Sequence, residues 1–202
     1  MFKAVIFDYG CVISTEQVKH EIEAMVDLIK ISEDTFKSYY YQYRLEYDRG
    51  ISGEEYWSKV LSACKVDYDQ ELIVKLINHD LKSWTVTNQA MLDWAEDLKK
   101  NGYKLGIISN MPKDILKYMR ENFSWLKNKL FDTVIFSCDL RICKPDPLIY
   151  RQCLDNLALS PVECLFIDDS EINIQAAKEI GLNVFHYRGL EDLTTLQAMF
   201  VK

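Results

Sequence analysis

The feature that most constrains the fold of this chain is a set of short apolar runs separated by longer segments with helical spacing. The runs are mostly continuous rather than alternating with polar residues, which is typical of strands covered on both faces. They occupy residues 4–7, 103–109, 133–137, 164–167 and 183–187. Segments with helical spacing and suitable end residues occupy 88–102, 145–157 and 170–181. This repetition predicts an α/β fold with a parallel sheet and right-handed crossovers.

The connection after the first apolar run is the exception. A crossover needs only about a dozen residues, yet helical patterns fill residues 16–30, 33–50, 53–64 and 69–84 before the next strand–helix unit begins. In the first of these, apolar residues recur at intervals of three and four, as burial on one side requires. We therefore predict a helical subdomain over residues 16–84, inserted into a core domain formed by residues 1–15 and 85–202.

Composition and charge exclude several classes of protein. The net charge of −7 argues against a nucleic-acid-binding protein, since such domains carry a basic face. No apolar stretch reaches the ~18 residues of a membrane span, and no secretory signal is visible. The cysteines at positions 11, 64, 138, 143, 153 and 164 have no C-x-x-C spacing. They are expected to be reduced thiols in a cytoplasmic protein.

Polar and charged residues follow several of the predicted strands. Asp8 ends the first run, Ser109 and Asn110 end the second, and Asp168 and Asp169 end the fourth. Ligands of open α/β sheets bind beyond the carboxyl ends of the strands, so these side chains are expected to share a crevice. When carboxylates lie this close to one another, either one of them takes up a proton or they share a cation. Mg²⁺ is the natural candidate for this cation.

Lys144 lies on the loop after the third run, in "CKPDPLIY", and would balance part of that negative charge. Each of these residues also has a purely structural explanation. A lone Asp at a strand end commonly forms a turn, "DD" before a helix commonly caps it, and Ser109 and Asn110 could be turn residues. Lys144 alone could be a surface lysine. Their joint placement at successive strand ends favours the functional interpretation.

Four stretches, in order, carry a family resemblance: "FDYGCVIS", "IISN", "KPDPLIY" and "FIDDSEINIQAAKEIG". They resemble the four motifs of the haloacid dehalogenase-like hydrolase superfamily, and the insertion resembles its helical C1 cap. The resemblance implies a Rossmann-like core, a mobile cap and a phosphoaspartate mechanism with Mg²⁺ in the phosphatase members. It implies that Asp8 is the nucleophile and that Lys144 holds it in place. The implied metal ligands are Asp8, the Gly10 carbonyl, Asp169 and Asp168. The implied contacts to the phosphoryl oxygens come from Ser109, the Asn110 amide and Lys144.

Gly10 departs from the pattern of these phosphatases, which have a second aspartate at this position for acid–base catalysis. Such groups contribute about 10²–10⁴ in rate. A substrate with a good leaving group, such as an acyl, aryl or anomeric sugar phosphate, would need this group least. The alternatives are a metal-free dehalogenase in which Arg44 binds halide or carboxylate, and a weakly catalytic protein that binds phosphate esters.

The sequence therefore predicts a Mg²⁺-dependent phosphatase that acts on a small phosphorylated metabolite. Its specificity is expected to come from residues 16–84, with Arg44, Arg49 or the tyrosines at positions 39–41, 43 and 47 as candidates. Neither nucleic acid nor a membrane is expected as a partner. The three histidines at positions 20, 79 and 186 are expected to lie away from the crevice.

Overall fold

A five-stranded parallel sheet forms the centre of the protein. The computed structural model describes residues 2–200. The strands are β1 (Ala4–Phe7), β2 (Lys104–Ser109), β3 (Thr133–Phe136), β4 (Cys164–Asp168) and β5 (Asn183–His186). Their order in the sheet is β3-β2-β1-β4-β5, and all pairings are parallel. This confirms the predicted α/β, Rossmann-like sheet, with strand ends shifted by at most one residue from the predicted runs.

The register of the sheet brings the carboxyl ends of three strands together. Phe7 pairs with Ile107 on β2 and with Ile167 on β4, so β1 lies between them with its end level with theirs. The residue after Phe7 is Asp8, and the residue after Ile167 is Asp168. Two aspartates on neighbouring strands therefore leave the sheet side by side.

Twelve α-helices of the described chain surround and extend this sheet. In chain order they are α1 (Lys19–Ile29), α2 (Glu33–Gln42), α3 (Arg44–Asp48), α4 (Gly53–Ala63), α5 (Gln70–Trp84), α6 (Gln89–Lys100), α7 (Lys113–Asn122), α8 (Ser124–Lys127), α9 (Ser137–Leu140), α10 (Pro147–Leu157), α11 (Glu171–Glu179) and α12 (Asp192–Ala198). Within residues 2–200, none of them is both long and apolar enough to cross a membrane.

Helices cover both faces of the sheet, as the continuous apolar strands predicted. On β1, Val5 and Phe7 belong to one buried cluster and Ala4 and Ile6 to another. Because successive side chains of a strand point to opposite faces, each strand contributes to both clusters. Helix α6 packs in the first cluster and α10 in the second, so the central strands are fully buried.

Helices α1–α5 have a third hydrophobic cluster of their own, in the segment predicted as the inserted subdomain. Its largest members, Trp57 and Tyr56, are fully buried. Where the chain enters and leaves this segment, its two connections are hydrogen-bonded to each other: Thr15 N–H donates to the Val86 carbonyl at 2.9 Å, and Asn88 N–H donates to the Ile13 carbonyl at 2.8 Å. The division into core and cap at residues 16–84 stays a prediction.

Two local features differ from the helical patterns in the sequence. The predicted helix over residues 33–50 is interrupted at Tyr43, whose N–H bonds to the Tyr41 carbonyl instead of the one four residues earlier. It therefore forms two helices, α2 and α3. Helices α7 and α8, between β2 and β3, are not among the predicted helical segments, although α7 buries Ile115, Leu116 and Met119 on one side.

Candidate functional site

Asp8 lies at the centre of a cluster of charged residues beyond the carboxyl end of β1. Its side chain is buried, with 7% of the residue exposed. Its Oδ1 accepts a hydrogen bond from the N–H of Tyr9 at 2.6 Å and lies 2.8 Å from Lys144 Nζ. Burial raises the pKa of Asp8 to about 7, although the Lys144 charge lowers it, and the Asp168 carboxylate raises it further. Asp8 is therefore held in a site that favours a neighbouring cation.

The turn after Asp8 has an irregular backbone. Gly10 is extended, with φ −60° and ψ 131°, and Cys11 is left-handed, with φ 57°. A side chain built on Gly10 would have its Cβ 3.7 Å from the Trp84 ring, which is ordinary van der Waals contact. Burial raises the pKa of the Cys11 thiol to about 12. Cys11 is accordingly a protonated thiol rather than a nucleophile.

Lys144 bridges the first and fourth strands. Its Nζ lies 2.6 Å from Asp168 Oδ2 and 2.8 Å from Asp8 Oδ1, and the residue is only 3% exposed. Burial alone would lower the pKa of Lys144, but the two carboxylates raise it above its ordinary value. Its ammonium group is therefore a fixed positive charge between two strand ends.

Asn110 positions the backbone of Lys144. The Lys144 N–H donates to Asn110 Oδ1 at 2.8 Å, and Asn110 Nδ2 donates to the Lys144 carbonyl at 3.1 Å. The Asn110 side chain is thereby used in orienting the lysine loop. The neighbouring Ser109 hydroxyl makes only a 3.3 Å contact with the Asn110 carbonyl.

Asp168 and Asp169 have different environments despite being adjacent. Asp168 is fully buried, and both of its oxygens accept hydrogen bonds: Oδ1 from the Ser170 N–H at 2.8 Å, and Oδ1 and Oδ2 from Asn173 Nδ2 at 3.0 and 3.2 Å. Asp169 is exposed. Asp168 is therefore suited to holding Lys144, whereas Asp169 is free to bind a ligand.

Asp8, Asp168 and Asp169 could hold a metal ion between them. One carboxylate oxygen from each lies within 4.8 Å of the others. Three carboxylates face one ammonium group, so the cluster has excess negative charge when all are ionised. A hard divalent cation with oxygen ligands fits this donor set.

A cavity of about 410 Å³ opens onto Asp8, Ser109, Lys144 and Asp169. The helical segment over residues 16–84 contributes another part of its wall. The contributing side chains are Tyr41, Arg44, Asp48 and Trp84. The cavity thus lies between the strand ends and this segment.

Arg44 is the residue predicted to bind halide or carboxylate in the dehalogenase alternative. It lines the cavity, but its guanidinium is already paired with carboxylates of the protein. Its NH1 donates to both oxygens of Asp80, at 3.1 and 3.2 Å, and its Nε donates to Asp48 Oδ1 at 3.2 Å. The Tyr40 hydroxyl also donates to Asp80 Oδ1, at 2.6 Å. Two buried carboxylates therefore share one guanidinium.

The structure brings together all the strand-end residues singled out in the sequence, but not all the predicted specificity residues. Arg49 is exposed and is not part of the cavity wall, and of the five tyrosines only Tyr41 lines it. Tyr40 and Tyr47 are packed in the third hydrophobic cluster. Among the described residues that line the cavity there is no histidine, as predicted, although His186 Nε2 lies 2.9 Å from the Asp169 carbonyl oxygen.

Sequence reasoning missed Asn173, Asp48 and Trp84. Asn173 could have been found, because it lies in the first turn of the helix that follows "DDS" and points back to the strand end. Asp48 and Trp84 had no comparable local pattern. Their position depends on how the helices over residues 19–84 pack onto the sheet.

The chain is similar to a known family of hydrolases over most of its length. The profile described as "Haloacid dehalogenase-like hydrolase" matches residues 22–187. The chain is 34% identical over 105 residues to mouse (Mus musculus) acyl-CoA dehydrogenase family member 10, covering 51% of this chain and 10% of that protein. It is 30% identical over 135 residues to rat (Rattus norvegicus) bifunctional epoxide hydrolase 2, covering 64% of this chain and 24% of the rat protein. The chain thus spans a quarter or less of these relatives.

Solved structures share the fold. A HAD family enzyme from Bacteroides thetaiotaomicron, in complex with magnesium and inorganic phosphate, superimposes with a TM-score of 0.79 at 20% identity. The match covers 97% of this chain and 99% of that one. Likeness at this level of identity concerns the fold.

Proposed function

The chain belongs to the haloacid dehalogenase-like hydrolase family, and we propose that within it this protein is a Mg²⁺-dependent phosphatase of small phosphorylated metabolites. The observation that supports this most strongly is the cluster at the strand ends. Lys144 Nζ lies 2.8 Å from Asp8 and 2.6 Å from Asp168, and the three carboxylates could share one cation. Phosphoryl transfer depends mainly on such charge neutralisation and on positioning.

The charge balance supports a resident divalent ion. Burial raises the pKa of Asp8, so its ionised form needs a compensating charge in addition to Lys144. When bound, Mg²⁺ would neutralise phosphoryl oxygens and keep Asp8 ionised. Asp8, Asp169 and the Gly10 carbonyl are the proposed ligands, with Asp168 beside them. Magnesium and phosphate in the Bacteroides enzyme are consistent with this proposal.

Each residue of the cluster would have a separate role in phosphoryl transfer. Asp8 would attack phosphorus and form an aspartyl phosphate, which water then hydrolyses. Lys144 would hold Asp8 and a phosphoryl oxygen in position. Ser109 and the main-chain N–H of Asn110 would donate hydrogen bonds to the other phosphoryl oxygens. Asp168 would act through Lys144.

The inserted segment would determine which ester enters. We propose that residues 16–84 are a cap, and that their closure over the crevice excludes water before transfer. The cavity of about 410 Å³ suits a small metabolite. Because Gly10 supplies no acid at the usual position, the preferred substrates would be esters with good leaving groups, such as sugar 1-phosphates, acyl phosphates or aryl phosphates.

The test is a screen of phosphate esters graded by leaving group, with and without Mg²⁺. We expect turnover that is lost on chelation and in Asp8→Asn. The matched control is Asp146→Asn, which changes a carboxylate that caps α10 outside the cavity and should leave turnover unchanged.

Three results would overturn the proposal. Turnover that survives Asp8→Asn would remove the nucleophile assignment. Chloride release from 2-haloacids without metal would identify a dehalogenase. Tight binding of esters with no turnover across the whole panel would identify a binding protein.

A further inference from the structure

Asp48 is a buried carboxylate that the proposed reaction has not yet used. It is 7% exposed, ends α3 and lines the same cavity as Asp8. Its Oδ1 accepts one hydrogen bond, from Arg44 Nε at 3.2 Å. Its Oδ2 accepts none from any residue between 2 and 200. An acceptor oxygen without a donor at a cavity wall is available to a ligand.

The backbone of Asp48 is fixed to the sheet end of the cavity. The buried Ser137 hydroxyl donates to the Asp48 carbonyl at 2.6 Å and accepts from the Met111 N–H at 2.8 Å. Met111 follows Ser109 and Asn110, which line the cavity beside Lys144. A continuous chain of hydrogen bonds therefore connects Asp48 to the proposed phosphoryl-binding loop. Gly50, which is two residues after Asp48, has φ +99° and lies against the Cys138 carbonyl and the Lys113 side chain.

Charge distribution in the Arg44 cluster favours a proton on Asp48. One guanidinium serves two carboxylates, and Asp80 receives the larger share: two hydrogen bonds from Arg44 and one from Tyr40. Asp48 receives a single hydrogen bond, from Arg44 Nε at 3.2 Å. The uncompensated negative charge therefore falls on Asp48, where protonation removes it.

The titration of Asp48 agrees with this geometry. Burial raises the pKa of its carboxyl to about 6, against the lowering effect of Arg44. The titratable or charged side chains that influence it, from its own helix and the elements packed around it, are Arg44, Tyr56, Asp80, Cys143 and Lys144. An acid with a pKa near the working pH is suited to giving and recovering a proton.

We propose that Asp48 is the proton donor and acceptor that replaces the aspartate absent at Gly10. This inference rests on the proposed phosphatase function. The acid–base group would then come from the helical segment over residues 16–84 rather than from the Asp8 turn, and esters with poorer leaving groups would join the substrates proposed above. The space beside Gly10, where the usual side chain would lie, is bordered by Trp84.

The reaction then balances in two steps. In the first, an Asp8 oxygen bonds to phosphorus and the bond from phosphorus to the leaving oxygen breaks. That oxygen takes the electron pair and the Asp48 proton, and leaves as an alcohol. In the second, water bonds to phosphorus and gives its proton to the Asp48 carboxylate. The bond between phosphorus and Asp8 breaks, so inorganic phosphate leaves and both carboxyl groups are restored.

The test compares substituted phenyl phosphates, which have similar size but different leaving-group pKa values. Asp48→Asn should lower kcat/KM, which reports formation of the aspartyl phosphate, for unsubstituted phenyl phosphate by about 10²–10⁴, the usual contribution of an acid–base group. For p-nitrophenyl phosphate, whose leaving group needs no proton, kcat/KM should be nearly unchanged, although kcat should fall for both esters because hydrolysis of their common intermediate loses its base. The dependence of the rate on leaving-group pKa should therefore become steeper.

Two further variants separate chemistry from folding. Asp80→Asn also removes a carboxylate from Arg44, but Asp80 does not line the cavity. Because the Asp80 charge raises the pKa of Asp48, this variant should shift the pH dependence of phenyl phosphate hydrolysis to lower pH without abolishing it. Adding Gly10→Asp to Asp48→Asn should restore much of the rate for phenyl phosphate, because the backbone and the space at Gly10 admit a Cβ. Thermal melting of each variant identifies any that fail to fold.

Each outcome separates this proposal from the proposed function. An equal loss of kcat/KM for both esters in Asp48→Asn, or no loss for either, would overturn the proton-transfer role while Mg²⁺-dependent turnover remains. Loss without rescue by Gly10→Asp in a folded protein would also count against it. If the wild-type protein hydrolyses no ester of the graded panel with Mg²⁺, the proposed function fails and this proposal fails with it.

Discussion

Replacing Lys144 with methionine would test the electrostatic account of the site. The ammonium group lies 2.6 Å from Asp168 and 2.8 Å from Asp8, with 1% of its side chain exposed. Lys144→Met keeps much of the aliphatic stem but removes the charge. Two buried carboxylates would then lose their shared cation, while Asp168 would keep only its hydrogen bonds from Ser170 and Asn173.

The expected magnitude follows from burial. Removing one partner of a buried ion pair costs about 3–5 kcal/mol of unfolding free energy, because a charge is left uncompensated. The control is Lys99→Met. Lys99 lies at the same 2.6 Å from Asp132, but both side chains are more than a third exposed. Such a surface pair contributes about 0–1 kcal/mol.

The loss should also depend on pH. Without Lys144, the pKa of Asp8 would rise further above the value of about 7 that it has with the lysine present. A carboxyl whose pKa is raised in the folded state stays protonated there at pH values at which the unfolded chain has already released its proton. The stability of the variant therefore falls as pH rises. The deficit relative to wild type should be larger at about pH 9 than at about pH 5.

The assay is urea unfolding in metal-free buffer, followed by tryptophan fluorescence, for wild type and both lysine variants. Equal losses for Lys144→Met and Lys99→Met would refute the argument from burial. A deficit in Lys144→Met that stays constant across the pH range would refute the argument from uncompensated carboxylates.

Four further substitutions test other parts of the structure. In metal-free buffer, the raised pKa of Asp8 means that stability is lost as pH rises from the unfolded value of 3.8 through about 7. Asp8→Asn should flatten this part of the thermal-melting profile, and an unchanged slope would contradict it. Ser137→Ala should cost about 1–3 kcal/mol in urea unfolding, because the Met111 N–H and the Asp48 carbonyl lose their shared partner; no measurable loss would exclude that bridge. Gly53→Ala should destabilise by about 1–3 kcal/mol, since the new methyl would lie 2.8 Å from Asp114 and 2.9 Å from Ile77. Gly10→Ala, with its nearest contact at 3.7 Å, should cost less, and the reverse order would contradict this packing.

The sheet and its charged edge could be predicted because both follow from local patterns. Continuous apolar runs identify the buried strands, and parallel strands align their carboxyl ends. Asp8, Asp168 and Lys144 therefore meet without any long-range information beyond strand pairing. The structure adds the hydrogen bonds of Asn110, which show that its side chain orients Lys144 rather than facing the cavity.

The wall formed by the inserted segment could not be predicted in the same way. Helical spacing indicates which side of each helix is buried, but it does not indicate how the helices lie over the sheet. The break at Tyr43, which separates α2 from α3, has no proline or glycine to mark it. Asp48 at the end of α3 and Trp84 at the end of α5 reach the cavity only through that packing.

The central claim is that Asp8 forms a covalent bond to phosphorus in a Mg²⁺-dependent reaction. The most direct measurement is rapid acid quenching of the protein with radiolabelled acetyl phosphate and Mg²⁺, followed by proteolysis and mapping of the label. The account predicts label on the peptide that carries Asp8, lost during a chase with unlabelled substrate and absent in Asp8→Asn or with chelator. Mg²⁺-dependent turnover with the label on another residue, or with no labelled protein at any quench time, would contradict it.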